Sequence, residues 1–235
     1  MICHVVERTL AARNVSRVIV ATDDDRIRKA VESSGYECVL TRADHASGTD
    51  RIAEVASSLP DAGVIVNVQG DEPLISSETI ERAVAEMGEE KNTIVTTWEP
   101  IESAADVLNP DVVKVVANDR EDALYFSRSP IPYPRDAVRE HGSIEAALRN
   151  DPSLISTFRK HTGLYVYSRD VLLQFTQWPQ TELERAERLE QLRALEHGVR
   201  FKVIKASSSS IGVDTAEDLK RVRSIVEAEE FQVSS

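Results

Sequence analysis

The stretch VIVNVQGDEP, Val64 to Pro73, decides the fold. Its first residues are apolar and mostly β-branched, so Val64 to Val68 reads as a buried strand. The strand then ends abruptly in Gln69, Gly70, Asp71, Glu72 and Pro73. Two adjacent acids at a strand end are costly unless a positive group faces them. A metal ion, a lysine or a helix N-terminus would each serve.

Working outward, strand and helix patterns alternate on both sides of this stretch. Residues 17–21 read as a short buried strand, and Asp25 to Ser34 as a helix with Ile27, Ala30 and Val31 on one side. Glu37 to Leu40 is a second strand, and Thr49 to Leu59 a helix with Ile52, Val55 and Ala56 as its stripe. Ser76 to Glu86 is a helix and Thr93 to Thr97 a strand. This alternation predicts an α/β fold, a mostly parallel Rossmann-like sheet with helices on both faces. In such folds ligands bind at the carboxyl ends of the strands, where Asp71 lies.

The second half changes character. Residues 112–116 and 123–126 read as closely spaced, antiparallel strands. Three prolines make Ser129 to Pro134 an extended loop. Residues 135–157 are polar and read as mobile or loosely helical. Leu164 to Tyr167 and Phe201 to Ile204 read as strands. Leu183 to Glu196 reads as one long helix, Thr215 to Glu230 as a closing helix, and 231–235 as a frayed tail. The pattern predicts one domain over residues 1–235, with an insert for substrate or dimer contacts at roughly 112–170.

The chain has 235 residues, 41% hydrophobic and 29% charged, with a net charge of −12. That balance argues against a nucleic-acid partner, whose binder is usually basic. It leaves room for a small anionic substrate held by a metal ion and a few arginines. Cys3 and Cys38 match no metal-ligand spacing and read as reduced thiols. With no apolar run of about 18 residues and no signal-like opening, no membrane partner is expected and the location reads as cytoplasmic.

Four segments carry candidate chemistry. Asp23, Asp24 and Asp25 invite a metal reading, but capping of the following helix is favoured. Ser47, Gly48 and Thr49 open a helix whose free N–H groups would suit a phosphate or base edge; a plain capped loop is equally supported. His45 reads as a surface loop residue. Asp214 either caps the last helix, with Glu217 completing a capping box, or is the second carboxylate of a metal site with Asp71. Arg128, Arg159, Lys160 and His161 would suit a substrate carboxylate, or are surface charges. Leu189 to Arg193 reads as part of a solvated helix face.

Seven segments, in order, resemble one family across nearly the whole chain: TRADHASGTDRIAE, VIVNVQGDEPLI, NPDVVKVV, ALYFSRSPIPY, KHTGLYVY, LERAERLEQLRALEHG and GVDTAEDLKRVR. Together they are similar to CMP-KDO synthetase, the 3-deoxy-manno-octulosonate cytidylyltransferases. The resemblance implies a homodimeric enzyme that couples CTP to the sugar acid KDO with Mg²⁺, giving CMP-KDO and pyrophosphate for lipopolysaccharide. It implies Asp71 and Asp214 as catalytic, metal-binding carboxylates. It implies Arg42, Ser47, Gly48 and Thr49 on the nucleotide side, and Gln69, Arg128, His161, Tyr165, Glu190 and Gln191 around the sugar acid. One departure stands out. The family's opening strand and its Arg- and Lys-bearing phosphate loop have no counterpart ahead of Met1-Ile2-Cys3-His4-Val5. Either the sequence begins at an internal methionine or the protein is a truncated paralogue; if truncated, weak CTP binding or poor folding is expected. The alternatives kept open are a non-catalytic nucleotide-binding paralogue, a cytidylyltransferase for a related 2-keto sugar acid and, more distantly, a glycosyltransferase using Asp23 to Asp25.

Overall fold

The computed structural model describes residues 1–88, 90 and 92–233, with side chains described through residue 228. Helix α1 (Ile2–Leu10) opens the chain and buries Val5, Val6 and Thr9 along one stripe. Strand β1 (Val20–Thr22) and β2 (Cys38–Leu40) flank α2 (Asp25–Ser33) and form a parallel pair of their own. The Asp24 carboxylate accepts from the Arg26 N–H at 2.7 Å, so the acidic triplet caps α2 as expected.

The main sheet has six strands. They are β3 (Val64–Asn67), β4 (Thr93–Pro100), β5 (Lys114–Ala117), β6 (Ala123–Ser127), β7 (Arg159–Ser168) and β8 (Arg200–Lys205). The order is β6-β5-β7-β4-β8, with β3 also paired to β7. The ten-residue β7 is the central spine. One edge pairs with β4 along its length, around a register shift at Thr96/Thr97. On its other edge β5 meets its start at Lys160, and β3 its end from Tyr165 to Ser168. Because β7 runs antiparallel to β3, β4 and β5, those three point the same way, and β8 joins β4 in parallel. The sheet is thus mixed, with most strands sharing one direction.

Helices cover both faces. Ile80, Ala83 and Met87 of α4 (Ser77–Met87) and Val5 of α1 pack on the Val66, Val95 and Val166 side. Ala53 and Ala56 of α3 (Gly48–Ser57), with Leu172 and Phe175 of α8 (Arg169–Phe175), pack on the Ile94 and Tyr165 side. Alternation of side chains along the strands separates the two layers. The edge of β1 away from β2 and the edge of β3 away from β7 line a shared cavity of about 820 Å³.

Three sequence expectations need correction. The 135–157 segment is ordered as α6 (Arg135–His141), α7 (Ile144–Asn150) and a 3₁₀ turn (Pro152–Thr157). Ala147 and Leu148 are fully buried, and Leu148 packs with Val107 and Phe158 around α5 (Ala104–Leu108). Polar composition hid this small core because its apolar residues are sparse. The helix expected over 183–196 is two helices, α9 (Glu182–Glu187) and α10 (Gln191–Glu196), broken at Arg188, which adopts φ 54°. A non-glycine residue in that region ends a helix and turns the chain. The closing helix α11 spans Ala216–Val233, so the frayed tail does not begin at 231; residues 234 and 235 lie outside the described residues.

Candidate active site

The turn after β3 answers the opening puzzle in part. The Val213 N–H donates to the Asp71 carbonyl at 2.9 Å, which lays the segment carrying Asp214 against the segment carrying Asp71. Asp214 is exposed, and Asp71 is half-buried. Asp214 is not the cap of α11. Thr215 does that work: its hydroxyl accepts from the Asp218 N–H at 3.1 Å, while Asp218 Oδ2 accepts from the Thr215 N–H at 2.9 Å. The expected pairing of Asp214 with Glu217 as a capping box is therefore replaced by Thr215 with Asp218. Among the described residues neither Asp71 nor Asp214 forms an ion pair. Lys160, whose charge is felt by the neighbouring Glu72, is engaged by Glu99 at 3.4 Å. Burial, helped by the charge of Asp71, pushes the Glu72 carboxyl up to about 7.

This donor set suits a hard divalent cation. Mg²⁺ characteristically takes one or two carboxylates and completes its shell with water and phosphate oxygens. Two unpaired carboxylates on adjoining segments fit that demand. Among the described residues no cluster of three or more His, Cys, Asp or Glu offers a closed protein cage.

The start of α3 supplies the second wall. Ser47 is its N-cap and accepts from the Asp50 N–H at 3.2 Å. Helix starts carry further N–H groups without helical partners, and Gly48 presents its backbone with no side chain over it. The serine caps the helix, as the plainer reading expected, without occupying every N–H. Thr49 is buried, and its hydroxyl donates to Glu190 Oε1 at 2.5 Å. Arg42 is exposed and lies 3.4 Å from Asp44 and 3.8 Å from Glu54. His45 is not a surface residue: its side chain is 5% exposed and its Nε2 is bonded to Glu54 Oε2.

The third wall is β7. His161 is buried, its Nε2 2.8 Å from the Thr96 hydroxyl. That hydroxyl gives its one proton to the Leu164 carbonyl at 2.8 Å, so His161 Nε2 carries the hydrogen and donates. Burial holds the imidazole far down, to about 3, so it stays neutral. Its ring meets Phe126 edge-on at 4.9 Å and Tyr165 at 5.4 Å. Gly163, between them, leaves space for Gln69 and Glu72. A Cβ there would lie 3.1 Å from Gln69 Cγ and 3.3 Å from Glu72 Oε1. Gln69 also reaches Asn67 Oδ1 at 3.5 Å.

The break between α9 and α10 positions the last residues. Glu190 stands at the start of α10 and Gln191 is buried as its first residue. Burial raises the Glu190 carboxyl, and its Oε2 has no hydrogen-bond partner among the described residues. The expected solvated face is thus an inward-facing one. Arg128 holds this break in place. Its guanidinium donates to the carbonyls of Glu187 at 2.7 Å, Pro110 at 2.9 Å and Arg188 at 3.4 Å. Arg128 therefore braces the pocket wall through three backbone carbonyls. Beneath it, the buried Lys114 gives its ammonium to the carbonyls of Asn109, Val112 and Arg128. Arg159, open between a substrate cation and a surface charge, stacks on Trp98 at 4.4 Å and pairs with Glu121 at 3.0 Å.

Sequence reasoning passed over several members. Tyr167 is buried and stacks on Tyr165 at 5.8 Å. It pairs with Ile65 of β3 and Ile94 of β4, in the layer packed under α3. Lys114, Thr96 and Gly163 were also missed. A lysine inside an otherwise apolar strand, Val112 to Val116, was the available signal for the first.

The cytidylyltransferase family model matches residues 1–204. A 3-deoxy-manno-octulosonate cytidylyltransferase from Geobacter sulfurreducens is 49% identical over 94% of this chain and 87% of its own length. One from Solibacter usitatus is 46% identical over 99% of this chain and 86% of its own. A solved structure of CMP:2-keto-3-deoxy-manno-octonic acid synthetase complexed with CTP superposes with a TM-score of 0.83. It is 41% identical and is matched over 97% of this chain and 88% of that one.

Proposed function

This chain belongs to the 3-deoxy-manno-octulosonate cytidylyltransferases of the cytidylyltransferase family, and from that membership we propose that it joins the CMP moiety of CTP to KDO. The sugar's anomeric hydroxyl oxygen forms a bond to the α-phosphorus. The bridging oxygen between α- and β-phosphorus takes the electron pair and leaves as pyrophosphate, and the hydroxyl proton is lost to solvent.

The observation that supports the reading is the hydrogen bond from the Val213 N–H to the Asp71 carbonyl, which lays the segment that carries Asp214 against the one that carries Asp71 at the carboxyl end of β3. Asp71 and Asp214 would hold Mg²⁺. When bound, that ion neutralises phosphate charge as the new bond forms. The protein's own part is positioning. The N–H groups at Ser47 to Thr49 face the nucleotide. Gln69, neutral His161, Tyr165 and Glu190 present amide, imidazole, phenol and carboxyl groups to sugar hydroxyls. Arg128 and Lys114 keep their wall rigid. Holding two substrates in line converts a two-body encounter into a near-unimolecular step. A homodimer, resting on family resemblance, completes the proposal.

The test is pyrophosphate release from CTP and KDO with Mg²⁺, and again after chelation. Metal-dependent release supports the reading. CTP binding without release favours a non-catalytic nucleotide-binding protein. Faster turnover of a different 2-keto sugar acid reassigns the acceptor.

A further inference from the structure

We propose that Glu99 is a positioning residue for Asp214: it moors the strap that carries Asp214 against the segment that carries Asp71. The proposal rests on the reading of those two carboxylates as metal ligands. The strap is the irregular stretch over residues 206–215, between β8 and α11. Its sequence, ASSSSIGVDT, does little to hold it. Serine- and glycine-rich segments are flexible, and a Cβ at Gly212 would meet nothing within 4 Å. The strap is therefore placed by its hydrogen bonds. Near β8 the Ala206 N–H donates to the Trp98 carbonyl and the Ser207 N–H to the Thr79 hydroxyl, each at 2.9 Å. At the far end the Val213 N–H donates to the Asp71 carbonyl at 2.9 Å. Midway between Ser207 and Val213, the Ser210 N–H donates to Glu99 Oε1 at 2.8 Å.

Glu99 is fitted to this task. It lies on β4, is 4% exposed, and stands directly across from Lys160 of β7. A carboxylate so buried needs a positive partner, and the Lys160 ammonium supplies one at 3.4 Å from Oε2. The other oxygen is left for the strap. A hydrogen bond to a carboxylate is roughly twice as strong as one between neutral groups. Because β4 and β7 pair along this stretch, Glu99 ties a flexible segment to a hydrogen-bonded ladder. Pinning the strap at its middle shortens its free span, and the entropy lost on holding Asp214 in place falls accordingly. Glu99 itself touches neither substrate nor metal; it acts through Ser210 on the residues that follow.

The test begins with amide hydrogen exchange on the whole chain without metal. E99M keeps the length of the side chain and removes both oxygens. It should speed exchange at the Ser210 and Val213 amides about tenfold or more and leave that of Val166 in β7 unchanged. E99Q keeps one acceptor oxygen and should restore most of the protection. S210P removes the donor from the strap side, where there is no helix or ladder to break, and should reproduce E99M at Val213. Mn²⁺ is then titrated in place of Mg²⁺, the free ion being read by electron paramagnetic resonance. E99M should weaken its binding about tenfold, and D214N at least as much. The E99M/D214N double variant should bind no more weakly than D214N alone, because Glu99 acts only through Asp214. Unchanged Ser210 and Val213 amides in E99M overturn the proposal. Equal loss of protection at Val166 overturns it by making Glu99 a general support of the sheet. An E99Q as loose as E99M overturns it by giving the effect to the charge beside Lys160, and additive losses of Mn²⁺ in the double variant overturn it too. D214N that binds Mn²⁺ as tightly as the parent overturns the metal reading itself, and the amides tell that failure apart from a failed mooring.

Discussion

The Thr49 hydroxyl donates to Glu190 Oε1 at 2.5 Å across 141 residues of sequence. It ties the helix start assigned to the nucleotide to the elbow assigned to the sugar acid. T49V keeps the shape and removes the donor to Oε1, the one Glu190 oxygen that has a partner among the described residues. Losing a donor to a buried carboxyl costs about 1–3 kcal/mol. Urea unfolding should show that loss, and the KM values for both substrates should rise together. A rise in only one would mean the two walls are not coupled through this bond.

His161 makes stability depend on acid. The unfolded imidazole takes up its proton below its ordinary value of 6.5, while the buried ring resists until about 3. The contribution is therefore complete above pH 6.5 and is lost as pH falls toward 3. At pH 5 the loss is about 2 kcal/mol. H161Q, which cannot titrate, should close its stability gap with the parent by that amount between pH 7 and pH 5. A gap constant with pH would mean the ring is not held neutral.

Gly163→Ala tests the contact between β7 and the β3 turn. The new methyl meets Gln69 and Glu72 side chains rather than backbone, so they give way and the fold survives. The KM for the sugar acid should rise roughly threefold to tenfold, with that for CTP much less changed. Equal effects on both would place Gln69 away from the sugar.

Asp71 and Asp214 can be separated from stability because neither is ion-paired among the described residues. D71N and D214N should each lower pyrophosphate release by about 100-fold or more, close to 2.7 kcal/mol of barrier. Melting temperatures should move by only about 2 °C. The double variant should be little worse than either single one, because both act on one ion. Additive losses would point to separate roles.

Glu184 and Arg193 form a buried two-pronged pair, at 2.8 and 2.5 Å, that clasps α9 to α10. E184A leaves a buried guanidinium unpaired and should cost about 3–5 kcal/mol. Replacing both with methionine should restore most of it, since the charges were then never desolvated. If the double variant stays as unstable as E184A, the clasp owes its strength to packing, for instance of Arg193 on Phe175 at 4.7 Å.

Local pattern carried the first hundred residues well. The elements from α2 to β4 follow from β-branched runs, helical stripes and caps such as Ser47 and Ser76, which leave a local trace. The two acids at 71 and 214 were legible as candidates. That their segments adjoin was not, because the contact is made by one long-range backbone bond. The Arg188 break was invisible since the stripe from Leu183 to Leu195 stays in phase across it. What broke the helix is tertiary: Arg128 drawing in the carbonyls at 187 and 188. Arg128 was legible as a candidate for the sugar acid, but its bracing of the elbow was not, because a bracing arginine and a binding one have the same sequence signature. Tyr167 was hidden inside an ordinary strand, where its hydroxyl has no local partner.

Strand β7 is paired on both edges, with β4 along one and with β5 and β3 along the other. Hydrogen-bonded ladders open cooperatively, so no single edge can be loosened without the rest of the sheet. The amides of β7 should consequently be among the slowest in the molecule to exchange with solvent, released only when the whole sheet opens.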